Sequence, residues 1–208
     1  MRHVTEFAAQ ERAALADLMT ALGPDAPTLC EGWTTRDLAA HLVVRASRAD
    51  AAAGIVVPAL AAHTQRVQDK VAEQDWNTLL AKVRRRPWWA LLGEEAVNRT
   101  EYFVHHEDVR RGQPDWSARD LGVDFAEALW GRVRAQARLV LRRTPAVVTV
   151  TAPGFGTVTA GKGGPDVDLV GPPPELLLFL MGRQRHALVE LAGPDNITER
   201  MRSARYGV

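Results

Sequence analysis

Glu101 and His105 stand four residues apart within residues 94–111, a stretch that reads as one helix. At that spacing two side chains share a helix face one turn apart, so a carboxylate oxygen and an imidazole nitrogen can converge on one cation. His41 lies on the apolar side of another helical stretch, next to Leu38 and Leu42. A histidine facing an interior needs partners for its ring nitrogens. If the two stretches are neighbours, His41, Glu101 and His105 make a two-histidine, one-carboxylate set. That set suits zinc with one coordination position open, and nickel, iron or manganese as well. Spacing alone equally describes a surface Glu–His pair. His106 points about a hundred degrees away from His105 and is expected to pack or cap.

Neighbouring residues have two readings each. Asp37, one turn before His41, either orients that ring or caps its helix. Asp108 stands three residues beyond His105, and Arg110 and Arg111, which follow it, either bind substrate carboxylates or close salt bridges on a helix end. Trp33 reads as a structural plug, and Cys30 as a small buried side chain with no catalytic role. Gly161, Lys162, Gly163 and Gly164 lack the spacing of a phosphate loop and have no helix behind them, so a turn is expected. Arg84, Arg85 and Arg86, ahead of Trp88 and Trp89, read as a solvated helix end followed by packed tryptophans.

The elements that must position these residues follow from periodicity and breakers. Residues 4–22 are helical and stop at Gly23 and Pro24. Thr34 caps a helix, with Asp37 three residues on, that runs to about residue 53. Residues 59–73 are a further helix, and Asp75 caps a short one ending near residue 85. The stretch 94–111 stops at Gly112, Gln113 and Pro114. Residues 120–142 carry Leu121, Phe125, Leu129, Val133 and Leu141 along one side. Four long helices with these connections predict an antiparallel four-helix bundle over residues 1–143. After Thr144 and Pro145 the chain turns β-branched and glycine-rich. Strands at 147–151 and 167–170, a hairpin within 154–164 and a helix at 175–180 predict a small α/β region over residues 144–208.

Composition narrows the class. The 208 residues are 46% hydrophobic and 25% charged, the balance of a globular protein. Lys and Arg number 26 against 25 Asp and Glu, so no basic excess exists for nucleic acid. No apolar run is long enough to span a bilayer, and the N-terminus lacks the apolar core of a signal peptide. One cysteine rules out an internal disulfide and a multi-cysteine zinc site. A cytoplasmic setting is expected.

Three segments carry a family resemblance. Gly32 through Leu42, including Trp33, Thr34, Asp37 and His41, resembles the opening of the second helix in DinB-like metalloproteins, in particular the N-terminal domain family of mycothiol-dependent maleylpyruvate isomerase. The run from Asn98 through Glu101, Tyr102, His105, His106 and Asp108 to Arg111 is similar to that family's third-helix metal motif. Val170 through Pro172, then Glu175 to Arg183, resembles its closing segment. The likeness is greatest to the short actinobacterial branch described only as metal-binding. The resemblance implies a bundle holding a divalent metal, usually zinc, on His41, Glu101 and His105, with mycothiol as thiol cosubstrate. It also implies an arginine that anchors an acidic substrate, for which Arg183 is the matching position. The isomerase carries a larger C-terminal domain than this tail. Three functions follow: a metal- and thiol-dependent transferase or isomerase acting on a small electrophilic or acidic substrate, a non-catalytic metal-binding structural or sensing protein, and a metal-dependent hydrolase.

Overall fold

Alanine and leucine dominate residues Phe7–Leu22, which form α1. The helix ends at Gly23, whose φ of +81° and N–H donated to Met19 O at 3.0 Å make the left-handed helix end that a side chain would strain. The computed structural model describes residues 7–47, 61–85 and 95–206. α2 spans Thr35–Ser47. Its start is fixed by Asp37, whose Oδ2 accepts from both the backbone N and Oγ1 of Thr34 at 2.8 Å, half of a capping box. The expected continuation to residue 53 lies outside the described residues, as do the start at residue 4 and Arg86, Trp88 and Trp89.

α3 covers Ala61–Ala72 and α4 covers Trp76–Arg84. Asp75 caps α4 by accepting from Thr78 N at 2.9 Å. α5, Glu95–Arg111, ends at Gly112. A Cβ at Gly112 would lie 2.6 Å from Pro27 O, so the missing side chain lets the loop after α1 run against the end of α5. Leu29 N donates to Asp108 O across that contact at 3.0 Å. α1 packs along α5, while α4 touches both α1 and α2. Leu15, Met19, Leu38, Leu79, Tyr102 and Val109 are buried between them.

These helices belong to the first of two compact units, Met1–Ser117. The second, Ala118–Val208, begins with α6, Val123–Val140. The change in composition placed the boundary after residue 143 and made α6 the fourth helix of a bundle. Instead the buried side of α6, with Phe125, Leu129 and Val133, packs on the second unit's own sheet and helix. Amphipathic spacing says that a helix has a covered face, and says nothing of what covers it.

The second unit holds β1, Val147–Ala152; β2, Gly156–Gly161; β3, Asp166–Val170; and β4, Glu190–Ala192. Their order is β2-β1-β3-β4. The hairpin expected within residues 154–164 is instead the single strand β2, which pairs antiparallel with β1; β3 runs parallel to β1, and β4 pairs antiparallel with β3. Val148, Val150, Val167 and Leu169 point to the core. α7, Pro173–Leu180, is apolar all round and fully buried from Leu176 to Leu180. Gly161, which ends β2, and Gly163 and Gly164 in the turn after it take positive φ, as expected of a turn. β4 and the terminal α8, Asp195–Ser203, are additions to the sequence reading. No helix among the described residues is long and apolar enough to cross a membrane.

Candidate metal centre

α2 carries His41 and α5 carries the i, i+4 pair Glu101 and His105, and the first unit brings their donor atoms together. His41 Nε2 and His105 Nε2 each lie 3.3 Å from Glu101 Oε1. The donor atoms of this trio all lie within 4.8 Å of one another. Both rings are buried, while the Glu101 side chain keeps 23% exposure, so the cluster is reachable from solvent on the carboxylate side.

The spacing itself is informative. An N–H···O hydrogen bond centres near about 2.9–3.0 Å. Two nitrogen or oxygen ligands at about 2.0–2.2 Å from a tetrahedral zinc stand about 3.4 Å apart. The two 3.3 Å separations are long for hydrogen bonds and close to that tetrahedral edge. By donor chemistry and spacing the trio fits a divalent ion.

A second group, Cys30, His105 and Asp108, also gathers possible ligands. Its distances differ in kind. His105 Nδ1 lies 2.9 Å from Asp108 Oδ2, an ordinary hydrogen-bond distance and shorter than the edge of a tetrahedral zinc. Cys30 Sγ is 4.0 Å from His105 Nδ1, longer than the roughly 3.6 Å edge expected between sulfur and nitrogen on zinc. Cys30 Sγ donates to Asp108 Oδ2 at 3.3 Å. This group therefore reads as a hydrogen-bonded brace behind His105. With Nδ1–H committed to Asp108, Nε2 is the nitrogen presented to Glu101.

Asp108 is wholly buried, and it is the functional residue whose part the sequence reading did not assign. Its signal was present, since i, i+3 from His105 shares a helix face. Asp37 caps α2 through Thr34. Trp33 packs its ring 5.2 Å from that of His41 and against the apolar core. Arg110 and Arg111 pair with the buried Glu107, and Arg111 stacks on Trp116. His106 Nδ1 pairs with Glu11 Oε2 of α1 at 2.9 Å. Arg183 belongs to the second unit, just after α7, and its Nη1 donates to Met181 O.

Charge separates the two histidines. Burial pushes the His41 pKa below its usual value, and the hydrogen bond to Glu101 offsets this only in part. Burial would lower His105 too, but its bonds to Asp108, Cys30 and Glu101 outweigh it and hold the ring well above 6.5. For Glu101, burial works against ionisation, and the hydrogen bonds from His105 and His41 overcome it, holding the carboxyl well below its usual range. A third cation adds to this: Arg45 Nε lies 3.2 Å from Glu101 Oε1. Without a metal, the surroundings therefore favour a neutral His41, a protonated His105 and an ionised Glu101.

No protein-family model and no curated protein matches the chain. Solved structures do. The chain is similar to a crystal structure of mycothiol-dependent maleylpyruvate isomerase at a TM-score of 0.62 and 14% identity, over 89% of this chain and 90% of that one. A histidine-to-alanine mutant of the same isomerase matches at 0.62 and 13%, with the same coverage. At this identity the likeness establishes the fold. It also extends over nine-tenths of the isomerase chain, which corrects the expectation of a shorter tail.

Proposed function

We propose that the protein is a divalent-metal enzyme that uses a small thiol, of the mycothiol type, in a transferase or isomerase reaction on a small electrophilic or acidic substrate in the cytoplasm. The observation that carries this reading is the pair of 3.3 Å separations from Glu101 Oε1 to the two histidine Nε2 atoms. The shared fold with a mycothiol-dependent isomerase supports the thiol. On this reading the first unit, α1 to α5, is a DinB-like helical bundle. His41, Glu101 and His105 hold the ion, with zinc the first choice among zinc, nickel, iron and manganese. When bound, such an ion supplies Lewis acidity that favours the thiolate form of a small thiol at neutral pH.

The chain's own residues do the rest. Asp108 fixes the His105 tautomer and ring plane, and Cys30 steadies Asp108. His105 gives up one proton to become a ligand, whereas His41 is already neutral. The single cysteine is committed to Asp108, so sulfur chemistry belongs to an exogenous thiol. On the resemblance alone, Arg183 is assigned to an acidic substrate group, which Arg183→Ala tests by its effect on that substrate.

Adding mycothiol to the cobalt-substituted protein tests the reading. A sulfur-to-metal charge-transfer band is expected. Cys30→Ser should keep the band, and His105→Ala should lose it. A spectrum unmoved by saturating mycothiol removes the thiol from the proposal.

A further inference from the structure

We propose that the second unit holds a phosphate site, a recess between the end of α6 and α8 where Arg143 and Arg200 grip the phosphoryl oxygens of free phosphate or of a small phosphate monoester. The inference stands apart from the metal reading above.

The stretch from Arg132 to Arg143 carries five arginines, at 132, 134, 138, 142 and 143, and no acidic residue. All five are exposed. Arg143 lines a recess of about 150 Å³. Arg200, from the last turn of α8, lines it too, and Thr144 and Tyr206 bring it two hydroxyl-bearing side chains. Val140 and Met201 give it apolar walls. None of the described residues that line it is acidic. Neither arginine closes an ion pair with a carboxylate among the described residues.

The recess has donors to spare, while acceptors around it are engaged. Thr144 O accepts from Lys162 N at 2.9 Å, and Ala204 O accepts from Tyr206 N at 3.2 Å and from Gln184 Nε2. Arg200 O accepts from Ser203 Oγ at 3.3 Å. Burial raises the Tyr206 hydroxyl above its usual pKa, against the pull of its hydrogen bond with Thr144 and of the Arg200 charge. The phenol therefore keeps its proton at neutral pH and remains a donor beside Arg200.

A cation at a helix end is commonplace, because the dipole favours it, so either arginine taken singly calls for no ligand. Two of them over one recess, with no carboxylate between, repel each other, and apolar walls weaken the screening. An anion relieves that repulsion. Size and shape choose it. Sites for drug-sized ligands run to about 300–1,000 Å³, so this recess suits an ion or a terminal group. Its donors come from three segments: the end of α6, α8 and the tail after α8. Such a spread suits the oxygens of a tetrahedral centre better than the two of a planar carboxylate, and guanidinium forks bind phosphate oxygens in pairs.

Calorimetric titration of the purified protein with inorganic phosphate at pH 7.5 and low salt tests this. Saturable binding of about one ion per chain is expected if the two forks share one dianion. Arg143→Gln and Arg200→Gln should each weaken it at least about tenfold. Both side chains are exposed, so the fold should survive, which far-UV circular dichroism checks. Arg134→Gln removes the same charge from α6 at a residue outside the recess lining and should cost no more than about twofold. Acetate should bind at least about tenfold more weakly than phosphate. Methyl phosphate bound as tightly as phosphate identifies a monoester as the ligand, and phosphate bound alone identifies the free ion; both uphold the site. Affinity unchanged by the two arginine variants, or lowered equally by Arg134→Gln, overturns it, as does a wild type that binds no phosphate. Binding abolished by a chelator yet kept in Arg200→Gln assigns the phosphate to the metal centre and overturns the site as well.

Discussion

Asp108→Asn is the sharpest probe of the cluster, because its effect can be counted in protons. In the metal-free protein Glu101 is held well below its usual pKa and His41 is lowered, so neither carries a proton to give up at pH 7.5. His105 is held well above 6.5, chiefly through its 2.9 Å bond to Asp108, once burial has been overcome. Metal binding at pH 7.5 should therefore release about one proton per ion from the ligands, and the apparent affinity should rise about tenfold per pH unit until pH passes the folded His105 value. Replacing the carboxylate with an amide removes the charge that sustains the imidazolium. Proton release should then fall toward zero and the pH slope should flatten. Above the His105 transition, proton competition is gone in both proteins. There the lost brace should appear alone, as a metal affinity lower by roughly 10- to 100-fold. Calorimetry in two buffers of different ionisation enthalpy reads the proton count directly. A proton lost from bound solvent is common to both proteins and cancels in the difference. Equal proton release by wild type and Asp108→Asn would refute the reasoning.

Other outcomes follow from the same geometry. His41→Ala and Glu101→Ala should each lower bound metal, measured by elemental analysis after gel filtration, by at least an order of magnitude; full occupancy in both would remove the ligand assignment. Chelation should lower the melting temperature while far-UV helical signal survives at room temperature, since the apolar faces of α1, α2, α4 and α5 hold the first unit. The stability of the metal-free protein should also depend on pH in opposite senses. His105, raised above its ordinary value, contributes stability that is complete below 6.5 and is lost as pH rises through its folded value. Glu101, depressed, contributes stability present above 4.5 and lost as pH falls through its folded value. Gly112→Ala should cost about 1–3 kcal/mol by urea denaturation, because its Cβ meets the Pro27 carbonyl at 2.6 Å and backbone must move.

Local chemistry made much of this legible in the residues. Gly23, Asp75 and Gly112 each act at one helix end, and each marks that end where expected. Glu101 and His105 needed only the helical repeat to be placed together. His41 needed the packing of α2 near α5, which spacing could propose and only the fold could supply. Asp108 and Cys30 were harder. Their partnership depends on the loop after α1 folding back on α5, a contact between residues 78 positions apart. Arg45 carried a usable signal, i, i+4 from His41, yet an arginine on a helix reads as solvated until its neighbours are known. α6 was read correctly as amphipathic and assigned to the wrong partner. β4 has three residues, too few for any period to register.

His41 and Glu101 are 60 residues apart along the chain and 3.3 Å apart in space. An ion gripping both would be a staple between α2 and α5. It would close a loop of that length in the unfolded ensemble as a disulfide does, a constraint worth about 4 kcal/mol in the chain-entropy treatment. A chain with one cysteine has no disulfide to offer. This fastening would be blind to reducing agents and would open to acid and chelators instead. Ligands on one helix close nothing by themselves, so losing His41 undoes the staple entirely. Losing Glu101 leaves His41 and His105 still bridging the two helices.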